Sequence, residues 1–219
     1  WGEINGVSNI TVVPTGPNQV RGNQDAVVAA VKSANPSVVV LAVGPAENAE
    51  IIGKLVASGY QGRFMGSLPT FNPAVLKSAA ADAIVAKYNH MSPTEQWDGT
   101  SAGVTAMKAS LGDKLPANNG YVIGWAMNYP MHAVLTQAAK NGNLTRAGVR
   151  KAVDGLTVTF DGMAPKVTYG GDGKSVAASG MIVSTPDKAA ALGLKSTGSF
   201  YQGTTFGKAP YTKACSATS

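Results

Sequence analysis

Few residues in this chain have the chemistry for catalysis or metal binding. Histidine occurs twice, at His90 and His132, and cysteine once, at Cys215. A zinc site takes three or four nitrogen, sulfur or carboxylate ligands, so this cysteine and histidine set cannot assemble one. A lone cysteine closes no internal disulfide; pairing with a cysteine outside this stretch, in an oxidising compartment, stays open. Acid–base catalysis needs a titratable group with a partner at hydrogen-bond distance. His90 has no carboxylate paired with it nearby in sequence and reads as a structural or pocket group. Gly173-Lys174-Ser175 looks like the end of a phosphate-binding loop, but the glycine required five residues earlier is replaced by Thr168, and the flanks read as β on both sides. The H-E-x-x-H and G-x-S-x-G patterns are absent. Asn9-Ile10-Thr11 and Asn143-Leu144-Thr145 match the glycosylation triplet, which is common by chance. No catalytic residue, metal or cofactor is expected.

What the sequence offers instead is a set of elements that build a binding site. Residues 10–13 are a β-branched run closed by Pro14, followed by a polar loop to Asn23. Residues 25–34 (DAVVAAVKSA) have apolar positions at helical spacing, with Asn23 as cap and Asn35-Pro36 as stop. Residues 37–43 (SVVVLAV) are continuously apolar, the pattern of a parallel strand buried on both faces. Gly44-Pro45 ends it, and 47–58 predicts an amphipathic helix stopped by Gly59. Phe64-Met65-Gly66 is a short strand, Asn72-Pro73 starts another helix, and 82–88 is a strand candidate. Strand and helix alternating over short connections imply a parallel α/β sheet. Such sheets hold ligands at the carboxyl ends of their strands. Those ends are Gly44-Pro45, Gly66-Ser67-Leu68-Pro69 and Asn89-His90-Met91.

Further along, 100–111 predicts a helix and 112–120 a loop. Residues 121–140 are a long apolar segment in which Pro130 kinks or splits a helix. Thr145 caps a short helix over 146–153. Residues 157–160 and 166–169 are β segments around the turn Asp161-Gly162, 170–173 is a turn, and 180–184 is a further β run. A helical turn over 186–192 and a last strand over 199–206 complete the reading.

The chain has 219 residues, 44% hydrophobic and 14% charged, which is enough apolar content for a packed core. No apolar run reaches the ~18 residues that span a bilayer. The opening Trp1-Gly2-Glu3 carries neither an initiator methionine nor a signal-peptide pattern, as expected of a processed or truncated chain. The net charge of +6 is scattered, with no basic run longer than Arg150-Lys151. Nucleic-acid binders concentrate such charge, so a solvated basic surface is expected and no nucleic-acid partner.

The stretch DAVVAAVKSANPSVVVLAVGPAENAEIIGKLVASGYQGRFMG resembles the core of type I periplasmic solute-binding proteins of ABC importers, of the leucine/isoleucine/valine-binding type. Tyr129-Pro130-Met131-His132-Ala133 stands where that family has its Tyr-Asp-Ala helix. Ala138-Ala139-Lys140-Asn141-Gly142 resembles the A-x-x-x-x-G that follows, and Phe160-Asp161-Gly162 with Val167-Thr168-Tyr169 resembles the family's hairpin. Order and spacing over most of residues 9–170 carry the resemblance; no single motif does. It implies a two-lobed clamshell with Rossmann-like parallel sheets whose N-terminal part is missing from this chain. Residues 1 to about 116 would form most of the C-terminal lobe, 117–185 would return to the N-terminal lobe, and 186–219 would make the final crossing. The partners implied are a small organic solute and a membrane permease, and the implied place is outside the cytoplasmic membrane, in the periplasm or lipid-anchored, as a monomer when intact. A clamshell sensor for a regulatory system, and a Rossmann-like enzyme fragment, are the alternatives.

The family's cleft positions carry over as Gly44 and Pro45, Ser67 and Leu68, and Asn128 and Tyr129; Trp125, one helical turn before Tyr129, offers a stacking face, and His90 joins the candidate ligand-binding residues from its strand-end position. Plain core packing is the other reading of Trp125 and Tyr129. The resemblance departs from amino-acid receptors where they grip the ligand: Pro45 stands in place of a tyrosine, and Ser67-Leu68-Pro69 lacks the acidic residue that meets an ammonium. A buried ammonium without a counter-charge costs several kcal/mol. The expected ligand therefore lacks an α-ammonium and is a carboxylate or a more apolar or aromatic solute.

Overall fold

The computed structural model describes residue 6, residues 10–170 and residues 180–204. The turn expected over 170–173 beyond Gly170, Gly173-Lys174-Ser175, Asn9, Cys215 and the end of the expected last strand lie outside the described residues.

A five-stranded sheet organises the chain in the order β1-β2-β3-β6-β7. Its first strands are β1 (Val38–Leu41), β2 (Arg63–Gly66) and β3 (Tyr88–Ser92), all parallel. The later strands β6 (Ile182–Pro186) and β7 (Leu194–Ser196) join as an antiparallel pair beside β3. The sheet is thus mixed, where the alternating pattern had implied a parallel one. The reason lies in the connection between β6 and β7: it is too short for a helical crossover, and only antiparallel strands can be joined so tightly.

Helices α2 (Asp25–Ala34), α3 (Pro45–Ala57) and α4 (Ala81–Lys87) supply the core under one face. Alternation decides which residues meet them. Val39, Leu41, Phe64 and Tyr88 point to that face and pack with Val27, Val31, Ile51, Ile52, Leu55 and Ile84. The opposite face of β1 carries Val38 and Val40, 50% and 69% exposed. This corrects the expectation of a strand buried on both sides. β1 is the sheet's edge, and its apolar run has helices on one side only among the described residues.

Other differences have equally local causes. Residues 10–13 form no strand, since no neighbour offers a ladder, and Val12 stands 84% exposed; a short α1 (Asn18–Arg21) follows instead. Residues 82–88 are helix through Lys87, with Ala81 and Ile84 buried one turn apart, and the strand begins only at Tyr88. Asn89-His90-Met91 consequently lies within a strand and not at its end. Gln24, not Asn23, occupies the α2 cap position, while the Asn23 side chain accepts from the Asp25 N–H at 3.1 Å. Asn35 ends α2 with φ 42°.

The long apolar segment is two helices, α6 (Gly120–Ala126) and α7 (Asn128–Lys140), parted at Met127. The break falls where Pro130 puts it: its missing N–H and its ring act on the Ala126 carbonyl four residues back, where α6 ends, and Pro130 itself lies in the first turn of α7. Together with α5 (Ala102–Leu111), capped by Ser101 Oγ, they enclose a second core of Val104, Met107, Val122, Ala126 and Met163. The β4 (Thr157–Val158) and β5 (Val167–Thr168) pair is shorter than expected. Near the end, β7 falls between the two elements expected there, and the described part of the expected last strand, 199–204, shows one bridge, between Met181 and Tyr201.

The cap at Thr145 gives a direct test. Its Oγ1 accepts from the Gly148 N–H at 3.2 Å at the start of α8 (Arg146–Lys151). Thr145→Ala is expected to lower stability by about 1 kcal/mol, read as a lower urea midpoint at unchanged slope.

Candidate functional site

The carboxyl ends of β1 and β2 run into loops with fixed geometry. Gly44, with φ −70°, is the cap residue of α3, whose first residue is Pro45. Past β2, Ser67 caps a 3-10 turn over Leu68–Thr70. The Ser67 carbonyl accepts from both the Thr70 N–H at 3.0 Å and the Thr70 hydroxyl at 2.6 Å, which pins the loop. These loops form one side of a pocket of about 280 Å³. Pro45, Leu68 and Pro69 line that side, with Phe71 and Asn72 next to them. Gln96, the segment Asn118–Asn119–Gly120, Ile123 of α6 and Leu194 of β7 complete the wall.

His90 forms part of the pocket lining and is 4% exposed. Its ring centroid is 5.9 Å from that of Phe71, and its Nδ1 is 3.1 Å from Tyr88 Oη. Tyr88 Oη is in turn 2.6 Å from Thr70 Oγ1. If the Thr70 hydroxyl donates to the Ser67 carbonyl, Tyr88 donates to Thr70 and accepts from His90 Nδ1–H, and in that tautomer Nε2 carries the lone pair. Burial lowers the His90 pKa to about 4 and raises that of Tyr88 to about 12, so both are neutral near pH 7.

The sequence-predicted residues divide accordingly. Pro45, Leu68 and His90 meet in the pocket, and Gly44 and Ser67 are the backbone positions that hold its loops. Trp125, Asn128 and Tyr129 are elsewhere. Trp125 and Tyr129 pack against the Val104–Met107–Met163 cluster. The Tyr129 hydroxyl donates to Asp161 at 3.0 Å, and Asn128 Nδ2 donates to the Gly124 carbonyl at 2.8 Å within its own helical turn. The element expected to face the cleft does reach the pocket, but through Ile123.

Sequence reasoning missed Phe71, Asn72, Gln96, Asn118, Asn119 and Leu194. The adjacent asparagines 118 and 119 just before a helix were a usable sign, since Asn before a helix commits its side chain to backbone N–H groups. Asn118 Oδ1 does accept from the Gly120 N–H at 2.8 Å, and Asn119 Oδ1 accepts from Trp97 N–H at 3.0 Å. Gln96 had no such sign.

An open sheet with a half-open pocket at its strand ends is a binding architecture, and the fold is that of type I periplasmic binding proteins, a family of solute receptors. The family model described as periplasmic binding protein matches residues 3–212, and the chain belongs to that family. The structure is similar to a fatty acid ABC transporter substrate-binding protein from Thermomonospora curvata, with TM-score 0.71 and 19% identity over 83% of this chain and 47% of that one. It is similar to a branched chain amino acid ABC transporter protein from Thermus thermophilus with bound valine, with TM-score 0.67 and 16% identity over 92% and 54%. A leucine binding protein from Thermotoga maritima gives TM-score 0.60 and 14% identity over 90% and 54%. This chain spans about half the length of those proteins. No curated protein matches its sequence. No helix among the described residues is long and apolar enough to cross a membrane.

Proposed function

We propose that this chain is the C-terminal portion of the extracytoplasmic receptor of an ABC importer, and that its pocket is one wall of the cleft that captures a small organic solute for a membrane permease. The observation that carries this reading is the pocket itself: loops after two parallel strands, Pro45 and Leu68, meet Asn118 to Ile123 across a half-open pocket. That is where an open α/β sheet takes its ligand. The similar solved proteins are ABC transporter components, which supports the same role.

In the proposed division, residues 1 to about 116 form most of the C-terminal lobe and 117–185 return toward the N-terminal lobe, with 186–219 as the final crossing. The pairing of β6 with β3 draws 182–185 into the C-terminal lobe's sheet, so on this reading the crossing comes before β6. The receptor acts outside the cytoplasmic membrane, in the periplasm or tethered by a lipid, and is monomeric. It performs no reaction on its solute.

A thermal-shift screen of the full-length protein over amino acids, aromatic acids, small carboxylates, amides and alcohols tests the reading. A solute at a hundredfold excess over its Kd stabilises the folded state by about 2.7 kcal/mol, a clear rise in Tm. Leu68→Trp fills the pocket and is expected to weaken any hit at least tenfold. A broad library without one hit would refute solute capture.

A further inference from the structure

Helix α7 has more apolar surface than its neighbours cover, and the following rests on the reading above that this chain is the C-terminal portion of a two-lobed receptor. Val134 and Ala138 are buried and join Ala152 in a small core. A second line, Asn128, His132, Thr136 and Lys140, recurs every four residues, is exposed and is polar, as a solvent face should be. The third line is Met127, Met131, Leu135 and Ala139. It also recurs every four residues and is also exposed, with Met127 71%, Met131 60% and Leu135 42% accessible. Met127 keeps helical dihedrals, φ −65° and ψ −15°, so the line runs unbroken into α7. Four-residue spacing sets these side chains one above another. Apolar residues scattered singly on a surface are ordinary. A helix with apolar lines on two faces is one that is covered on both.

The elements around α7 lack the layer that would cover it. Its principal neighbours are α6, α8 and β4. None of these belongs to the five-stranded sheet, whose core is filled by α2, α3 and α4. The β structure that packs with α6, α7 and α8 is the β4–β5 pair, two residues in each strand. A two-stranded hairpin is too small to be a layer by itself, and a helix buries its apolar line against a second layer. The similar solved receptors have room for one, since this chain spans 47% to 54% of their lengths. A second copy of this chain is the weaker occupant. Three large side chains along about 18 Å of helix fall short of the roughly 800 Å² per partner that a stable dimer buries. A segment of the same polypeptide needs less area, because chain connection has already removed much of the association entropy.

We propose that the Met127–Met131–Leu135–Ala139 line is an interface within the receptor, covered by an apolar sheet face from the part of the polypeptide upstream of Trp1. The polar line at 128, 132, 136 and 140 stays in solvent beside it.

Thiol accessibility tests this. Full-length protein in a cysteine-free background carries Met131→Cys, Leu135→Cys or Thr136→Cys, and maleimide labelling is timed under native conditions. Met131→Cys and Leu135→Cys are expected to react at least tenfold more slowly than Thr136→Cys, with all three alike in denaturing urea. Met131→benzoylphenylalanine, photolysed in the full-length protein, then identifies the occupant: adducts within one chain, to residues upstream of Trp1, are expected. Equal native labelling at the three positions would show an open line and overturn the proposal. So would an adduct joining two copies, or protection that disappears on dilution. A solute found by thermal shift together with an open line would leave the receptor reading standing without this interface. A covered line in a protein that takes no solute would keep the interface and remove solute capture.

Discussion

Gly66→Ala is expected to cost about 3 kcal/mol of stability and to abolish solute binding in whatever folded protein remains. Gly66 ends β2 on the buried face, beside the hydroxyls of Tyr88 and Thr70. A Cβ there would overlap Tyr88 Oη and Thr70 Oγ1 and approach Tyr88 Cε2 to 2.6 Å. The alanine must therefore displace the ring that orients His90 or the threonine that pins the Ser67–Thr70 loop. Forcing one extra carbon into a packed core costs about 1–3 kcal/mol, and here a buried hydrogen-bonded chain is broken as well. Gly124→Ala is the control. Gly124 lies within α6 with nothing near its absent side chain, so alanine there should stabilise by up to about 1 kcal/mol. Urea denaturation of both variants reads the contrast. A Gly66→Ala midpoint equal to that of the unaltered protein would show that the network is not rigid.

Acidification supplies the second large effect. His90 has a folded pKa of about 4 against an ordinary value of 6.5, because burial disfavours its charged form. Between those values the unfolded chain binds a proton that the folded chain refuses, so stability falls as pH drops from about 6.5 to about 4, and this contribution levels off below. The integrated loss is about 3 kcal/mol. His90→Gln has no such proton to take up. The stability difference between it and the unaltered protein should shift in the variant's favour across that window and stay constant above pH 7. A parallel pair of pH profiles would refute the burial-driven neutrality of His90. The same neutrality leaves one of the two His90 ring nitrogens an acceptor near pH 7.

The sequence made the central elements legible where one local rule decided them. Residues 25–34 matched α2 to the residue because apolar spacing, Asn35 and Pro36 all agree. The Thr145 cap was equally local. Misreadings arose where a tertiary partner decided. The run 37–43 looked doubly buried because apolar content does not say whether a strand is central or an edge. Residues 82–88 hold β-prone and helix-prone side chains in equal measure, and packing of Ala81 and Ile84 on α3 settles them as helix. In the site, the loops after β1 and β2 were visible as strand ends, which brought Pro45 and Leu68 forward. Gln96 and Leu194 were not, since nothing in their neighbourhoods marks them; they reach the pocket through chain contacts far apart in sequence. Tyr129 illustrates the converse: a family position pointed to the cleft, while its hydroxyl is engaged by Asp161.

The antiparallel pairing of β6 with β3 has a bearing on how the molecule is made. Synthesis proceeds from the N-terminus, so β1, β2 and β3 leave the ribosome while β3 is still an open edge, with the hydrogen-bonding groups of His90 facing no neighbour on one side. The hairpin that closes it arrives only with residues 182–196. Long-range pairing of this kind is slow and leaves strand edges exposed to other nascent chains. Leu194, a pocket residue, comes with that same hairpin. The pocket is therefore complete only once residues 182–196 have been made, and a ligand can stabilise the finished pocket but cannot guide the folding steps that come before it.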